Sequence, residues 1–480
     1  MNYQILIYVL GWVLNFQAVF LLLPSLVALI YQEKSGWCFL LAAVVTGMIG
    51  IALTVKKPKT DTQLHAREGF VLVALSWIII SLISAAPLCI SGEVPNYIDA
   101  VFEMVSGYTT TGASILTAVE DLPNCMNFWR CFSNWIGGMG VIVFMVTILP
   151  MVGANANMYL MKAESPGPSF GKLVPKLKKT ASLLYIMYIG MTLMQIILLL
   201  IGKLDFFDAV CVSLATAGTG GFGIKNDGFS GYTSYVQIIV TIFMFLFGVN
   251  FKFYFLLLIR KFKDAIAIEE VRWYTILYAV ATIVIAIDIF HLIGTVGGSL
   301  KHAAFQVATV MTTTGFATAD FNQWPILSQT ILVLLMFVGA CAGSTGGGMK
   351  VSRFIIYIKS AQKEIASLLH PNSVKKIKMD GKVVDHETIR SANVYLIIYI
   401  LLLAVSILLV SINGFDLVTT TTSVIACFNN IGPGLGVVGP MGNFSSLSWL
   451  SKLVLILDML AGRLEVFPIV VLLFRDTWKR

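Results

Sequence analysis

TTTGFAT, residues 312–318, decides how this chain is read, because close variants recur three more times: TTTGAS at 109–114, TGGFG at 219–223 and NIGPG at 430–434. Gly112, Gly221, Gly315 and Gly432 hold matching places in four segments of shared pattern. Each segment has an apolar run of membrane length, a short amphipathic stretch, the turn, and a second apolar run. One unit is used four times, and its length and apolarity are not those of a soluble solenoid. Asp99, Asp208 and His302 each lie thirteen residues before their glycine, in DAVFEMVS, DAVCVSLA and HAAFQVAT, whereas FDLVTTTTSVIACFNNIG puts Asp416 sixteen residues before Gly432. The fourth copy is therefore expected to carry three extra residues or a different register.

Composition sets the solvent. Of the 480 residues 57% are hydrophobic and 12% charged, and the mean hydropathy is +0.85. That leaves too little polar surface to cover a water-soluble globule of this size, so the chain reads as an integral membrane protein. Its formal net charge of +8 then marks cytoplasmic loops rather than a nucleic-acid surface. The seven cysteines, Cys38, Cys89, Cys125, Cys131, Cys211, Cys341 and Cys427, show no metal-type spacing and lie mostly in apolar runs, which favours packing. A disulfide between Cys125 and Cys131 stays open.

Residues 5–31 and 37–55 are each apolar over about the 20 residues a spanning helix needs, and neither run carries a TTTG-like turn. The first lacks a basic n-region and a small-residue cleavage site, so it reads as an anchored helix and not a signal peptide. The expected fold class is all-α integral membrane. Two extra N-terminal transmembrane helices (1–60) precede four pseudo-symmetric helix–pore loop–helix repeats, at 68–155, 178–262, 272–362 and 389–480, around one central ion pore. A cytoplasmic loop, 363–388, separates the last two, and the count is ten spanning helices and four half-spanning segments.

Lys and Arg orient this arrangement. With a cytoplasmic N-terminus, the inner side collects the basic clusters at 56–67, 162–179, 260–272, 353–390 and 475–480, and only Lys34, Arg130, Lys203, Lys225, Lys301 and Lys452 stay outside. Both termini then face the cytoplasm. Glu93, Asp99, Glu103, Glu120, Asp121, Asp205, Asp208, Asp227, Asp320 and Asp416 flank the turns; an acidic mouth that concentrates cations and ordinary loop solvation are both open readings.

The turns carry the chemistry. Non-helical backbone at membrane depth must be buried in protein or line a water-filled path. Glycine allows backbone angles that turn carbonyls inward, and threonine adds hydroxyl oxygen without charge. Four such turns about one axis form a ring of neutral oxygens that replaces the water shell of a monovalent cation. The candidate filter is Thr110, Thr111 and Gly112; Thr219, Gly220 and Gly221; Thr313, Thr314 and Gly315; Asn430, Ile431 and Gly432. The preceding half-spanning helices would aim their negative dipole ends at the ion path. Helix packing alone explains one TTTG, but not four at equivalent places.

A second string, GACAGSTGGGMK at 339–350, interrupts an apolar run. Successive glycines cost about 1 kcal/mol each relative to alanine in a helix, so a break is expected there. The candidate gate is Gly343, Ser344, Thr345, Gly346, Gly347, Gly348 and Lys350, with Arg463 from LDMLAGRLEVFP. A charge at membrane depth must meet protein or water; Arg463 is expected near the middle of its helix, pairing with loop carbonyls or acting as a positive barrier. Lys252 is expected to snorkel. Asp288 and Asp458 are the helix-embedded carboxylates that coupled symport would need. No HExxH, GxSxG or clustered Cys and His suggests an enzyme, and His65, His291, His302, His370 and His386 are scattered.

These units, together with WIGGMGVIVFMVTILPMVG at 135–153 and GACAGSTGGGMK, resemble the superfamily of potassium transporters that includes bacterial TrkH and KtrB and the plant HKT proteins. The match covers nearly the whole chain, and the two extra N-terminal helices make it look like the TrkH branch. The resemblance implies a potassium-uptake subunit of the bacterial inner membrane, a homodimer with one pore per protomer. Potassium is its transported ion, no organic cofactor is held, and a cytoplasmic nucleotide-binding regulatory ring of the TrkA type gates it. It also implies a gating role for 339–350. In the plant relatives serine at the first filter position is associated with sodium selectivity, and Gly112 stands there in this chain. Gly220 and Ile431 depart from TTTG, so fourfold symmetry is approximate.

Overall fold

A computed structural model describes residues 1–56, 66–148, 177–371 and 376–479. Lys57, Lys59, Lys162, Lys172, Lys176 and Arg480, the side chains of Lys178 and Lys179, and the end of the first expected repeat lie outside the described residues. Two long helices open the chain, α1 (Tyr3–Tyr31) and α2 (Gly36–Thr54). They cross closely where Gly11 meets Gly50 and Leu53, small residues letting backbones approach.

The pattern long helix, short helix, turn, helix then follows four times. It runs through α3 (Ala66–Ile90), α4 (Tyr97–Tyr108) and α5 (Asn124–Ile148), then α6 (Leu177–Ile201), α7 (Phe206–Gly218), α8 (Ser234–Phe247), α9 (Phe251–Leu258) and α10 (Phe262–Ile266). Next come α11 (Glu269–Asp288), the one-turn α12 (Phe290–Ile293), α13 (Val296–Met311), α14 (Ile326–Val338) and α15 (Val351–Leu369). The last set is α16 (His386–Ser411), α17 (Leu417–Phe428), α18 (Trp449–Arg463), α19 (Phe467–Leu473) and α20 (Arg475–Trp478). Among the described residues, α1, α2, α3, α6, α11 and α16 are long and apolar enough to cross a membrane, and α8 with α9 makes a further candidate bent by 92°.

Among the described residues, more of the second helices are broken than the one expected to be. The break at 339–350 is present, but the second apolar runs of the second and fourth repeats, residues 233–259 and 448–474, are also broken, at 248–250 and 464–466. At the first, Asn250 Oδ1 accepts from Lys252 N at 2.9 Å, so an amide cap starts a new helix. At the second, Pro468 stands in the first turn of α19; in an unbroken helix its ring would collide with the Leu464 carbonyl. Glu465 and Val466 take φ of +55° and +68° to make the turn.

The short helices settle the register of the fourth copy. Asn96 accepts from Ile98 N, Asp205 from Phe207 N and Asp416 from Thr419 N, and these N-caps all lie sixteen residues before their glycine (96 to 112, 205 to 221, 416 to 432). No insertion is present: Asp416 matches the caps, and Thr419 stands where Asp99 and Asp208 do. The Thr419 hydroxyl and backbone hold the exposed Asp416 carboxyl below its ordinary range. It is α13 that differs, starting after Thr295, a turn earlier than its counterparts.

The stretch 363–388, read from sequence as a loop, carries regular structure among its described residues. Helix α15 runs to Leu369, and Lys378–Met379 (β1) pairs antiparallel with Lys382–Val383 (β2) through Asp380 and Gly381, both at positive φ, an Asp-Gly hairpin turn. The hairpin docks on α11, since Asp380 Oδ1 accepts from Glu269 N at 2.8 Å. All seven cysteines are free thiols, Cys125 and Cys131 both in α5.

Candidate cation-conducting site

Each short helix ends in the same way. Thr111 N donates to Ser106 O, Gly220 N to Ala215 O, Thr314 N to Thr309 O and Ile431 N to Ala426 O, at 2.8–2.9 Å. Each donor follows a residue in the left-handed region: Thr110, Thr219, Thr313 and Asn430, with φ of 55°, 53°, 58° and 56°. This is the Schellman end of a helix, but with Thr or Asn where glycine is usual. The conformation costs an L residue about 1–2 kcal/mol, so the surrounding packing must hold it. Glycines 112, 221, 315 and 432 follow at φ of 80°, 69°, 90° and 98°.

The four turns touch in a closed order. A Cβ on Gly112 would meet Gly220 O, one on Gly221 would meet Thr314 O, one on Gly315 would meet Ile431 O, and one on Gly432 would lie 2.7 Å from Thr111 O. Each glycine thus lies against the carbonyl that precedes the glycine of the next turn, and the fourth closes on the first. All four glycines line one cavity, with Arg130 and Lys225 at its wall. Among the described residues no carboxylate lines that cavity, so the acidic-mouth reading gains nothing there. Three of the flanking carboxylates are otherwise used: Asp99 pairs with Lys452 at 2.7 Å, and Asp205 and Asp416 cap helices.

Glu103 is not at the mouth at all. It is fully buried and pairs with Arg130 at 2.8 Å. Its carboxylate also accepts from Ser114 Oγ and Ile115 N, while Arg130 donates to Gly223 O at 3.1 Å. One ion pair therefore ties the segment after the first turn to the segment after the second. A Glu inside an apolar stretch nine residues before Gly112 was the available signal, since a carboxylate there must find donors. Neutral groups bond within the first and third turns: Thr109 and Thr111 share a hydroxyl bond at 2.8 Å, as do Thr312 and Thr314 at 2.7 Å. In the fourth turn Asn430 Nδ2 donates to Thr111 Oγ1 at 3.0 Å and Met459 O at 2.9 Å.

The glycine segment packs directly against these turns. Its two limbs meet at Gly339 and Gly348, and Val351 N donates to Ala340 O at 3.1 Å. At its tip Gly347 N donates to Thr313 Oγ1 at 2.6 Å. A Cβ on Gly346 would lie 2.8 Å from Thr312 O, and one on Gly347 2.8 Å from Asn429 O, which is why side chains are missing there. Lys350 Nζ donates to Gly346 O. Arg463 is at the end of α18 and not mid-helix, because of the 464–466 break; its Nη1 donates to Thr345 O at 2.9 Å and its Nη2 to Gly137 O at 2.7 Å. Gly343 lies by the α8–α9 break, where Phe251 N donates to Gly343 O, and Ser344 Oγ donates to Cys341 O at 2.7 Å.

Three embedded charges remain. Lys252 opens α9 beside the 248–250 break. Asp288 accepts from Ser328 N and Oγ, capping α14. Asp458 accepts from Ser406 Oγ at 2.6 Å inside α18. The two carboxylates serve different helices and share no hydrogen-bond partner among the described residues.

Comparison with known proteins matches residues 37–477 to the family model TrkH, described as cation transport protein. The chain is 36% identical over 467 residues to the Trk system potassium uptake protein TrkH of Escherichia coli K12, covering 96% of each. It is 33% identical over 482 residues to TrkG of the same organism, covering 99% of each. The crystal structure of the potassium transporter TrkH from Vibrio parahaemolyticus superposes with a TM-score of 0.88 at 29% identity, covering both chains completely. These relatives are transporters and not enzymes. A multi-pass helical membrane chain that matches a family model over most of its length and bacterial relatives end to end belongs to the TrkH family of cation transport proteins.

Proposed function

We propose that this chain is the potassium-translocating subunit of a channel-like uptake system of the bacterial inner membrane. The observation that carries the reading is the closed order of four equivalent turns, the glycine of each lying against a backbone carbonyl of the next, around one cavity. Neutral carbonyl oxygens at close quarters suit a dehydrated monovalent cation. In this reading residues 68–155, 178–262, 272–362 and 389–480 are the pore repeats, the ion passes the filter at Gly112, Gly221, Gly315 and Gly432, and 339–350 with Arg463 obstructs the path beneath it. Guanidinium stays charged and offers five donors, so Arg463 holds loop carbonyls while repelling a permeating cation. Both termini are cytoplasmic, two protomers pair with one pore each, and a nucleotide-binding ring of the TrkA type acts on the gate from the cytoplasm.

The test is flux through purified protein in liposomes. Potassium and rubidium should pass in strong preference to sodium and lithium; equal passage of sodium ends the carbonyl-filter reading. A potassium symporter is the second reading, favoured by Asp458, one of whose buried oxygens has no protein partner.

A further inference from the structure

Glu270 stands in the first turn of α11 and is 4% exposed. Its Oε1 accepts two backbone donors, Ala342 N at 2.7 Å and Ser352 N at 3.1 Å. These donors are the two roots of the glycine segment: Ala342 enters it, and Ser352 lies in the first turn of α15 beyond it. Its Oε2 faces Asn250 Nδ2 at 3.5 Å, and Asn250 is the residue that caps α9 after the 92° bend. Cys341 N donates to Gly248 O at 3.0 Å and Phe251 N to Gly343 O at 3.1 Å, so the two breaks are also stitched along the backbone. One carboxylate therefore gathers the roots of the segment and the elbow of a neighbouring helix.

Backbone N–H groups near helix starts have no partner within the helix, and a buried donor left without one is costly. With the carboxylate present, both roots are satisfied only when they lie together, and together they set the tip under the filter at Thr313 and Gly347. Without it, Ala342 N and Ser352 N must move to find other acceptors, and the tip moves with them. We infer that Glu270 is the positioning residue that clamps the glycine segment in its obstructing place and links it to the α8–α9 elbow. The inference rests on the reading of 339–350 as the gate. Displacement of α9, which leads to Arg260, Lys261 and Lys263, would reach the segment through Asn250 and this carboxylate.

The experiment is rubidium flux through full-length protein in liposomes, for the parent, Glu270→Ala, Glu270→Gln, a form shortened within 343–348, and the shortened form carrying Glu270→Ala. Glu270→Ala should raise basal flux about tenfold, the effect of losing a bond to a charged group. Glu270→Gln keeps one oxygen that accepts from both donors and should recover most of the restraint. In the shortened background Glu270→Ala should add nothing, because the clamp then has no obstruction to hold; an additive effect shows that Glu270 acts elsewhere and overturns the inference. If shortening raises flux and Glu270→Ala does not, the clamp is wrong and the gate reading stands. If shortening leaves flux unchanged, the gate reading itself falls. Should Glu270→Ala fail to fold, Ser352→Pro removes one donor at a helix position that tolerates proline; it should raise flux several-fold, and parent flux in that variant overturns the clamp.

Discussion

At the scale of single residues, the four turns ask for two unusual conformations in succession. A residue at φ near 55° is followed two places on by a glycine at 69–98°. The glycines were legible in the sequence because their recurrence is plain. The left-handed threonines were not, since isolated threonine avoids that region and only the close packing around Thr110, Thr219 and Thr313 keeps it there. In the proposed filter, Gly112 is the position at which an added side chain would bear most directly on the ion. A Cβ there would meet Gly220 O at a φ of 80°, so Gly112→Ser must shift either its own carbonyl or that of the second turn. Sodium permeability relative to potassium should rise several-fold while total protein and its oligomer profile stay the same. Reversal potentials in mixed sodium and potassium decide it, and an unchanged ratio in a folded variant removes Gly112 from the filter.

At the scale of elements, the second helix is interrupted in three units among the described residues, and sequence reading foresaw only the glycine-rich break. The others carried subtler signals, an Asn cap at 250 and Pro468 after a buried Val466. An apolar stretch masks them because hydropathy does not register a bend. The consequence is that Arg463 sits at a helix end, where its guanidinium spans from Thr345 O to Gly137 O, joining the glycine segment to α5. Arg463→Ala removes both bonds and the positive charge that the proposed function places under the filter. Potassium flux should increase about tenfold, on the order of the 1.5–3 kcal/mol a charged bond contributes. Arg463→Lys should restore part of the restraint, since a point charge cannot bridge two carbonyls as the planar fork does. Parent-level flux in a membrane-inserted Arg463→Ala protein excludes this role.

At the scale of the whole molecule, the question is what drives the ion. A membrane potential supplies about 2.3 kcal/mol per charge for each 100 mV, an accumulation of about fifty-fold, so uptake needs no chemistry within this chain. A coupled transporter needs a carboxylate that meets the ion, yet Asp288 caps α14 and Asp458 is bound to Ser406. At clamped voltage, imposing a pH gradient should leave the potassium reversal potential unshifted, and Asp458→Asn should not alter that result. A shift that tracks the pH gradient and disappears in Asp458→Asn would establish proton coupling instead.

By itself the sequence determined the solvent, the repeated unit, the family and the glycine positions, because burial in lipid and free backbone angles are local demands that each residue type answers alone. Only the tertiary structure decided the rest. The closed contact of four turns spread between residues 109 and 434, the Glu103–Arg130 tie between two of them, the shared N-cap register that places Asp416 with Asn96 and Asp205, and the gathering of both loop roots on Glu270 all depend on which segments become neighbours. A buried carboxylate or guanidinium declares in the sequence that it requires partners; which carbonyl or N–H meets it is set by the packing of helices distant along the chain.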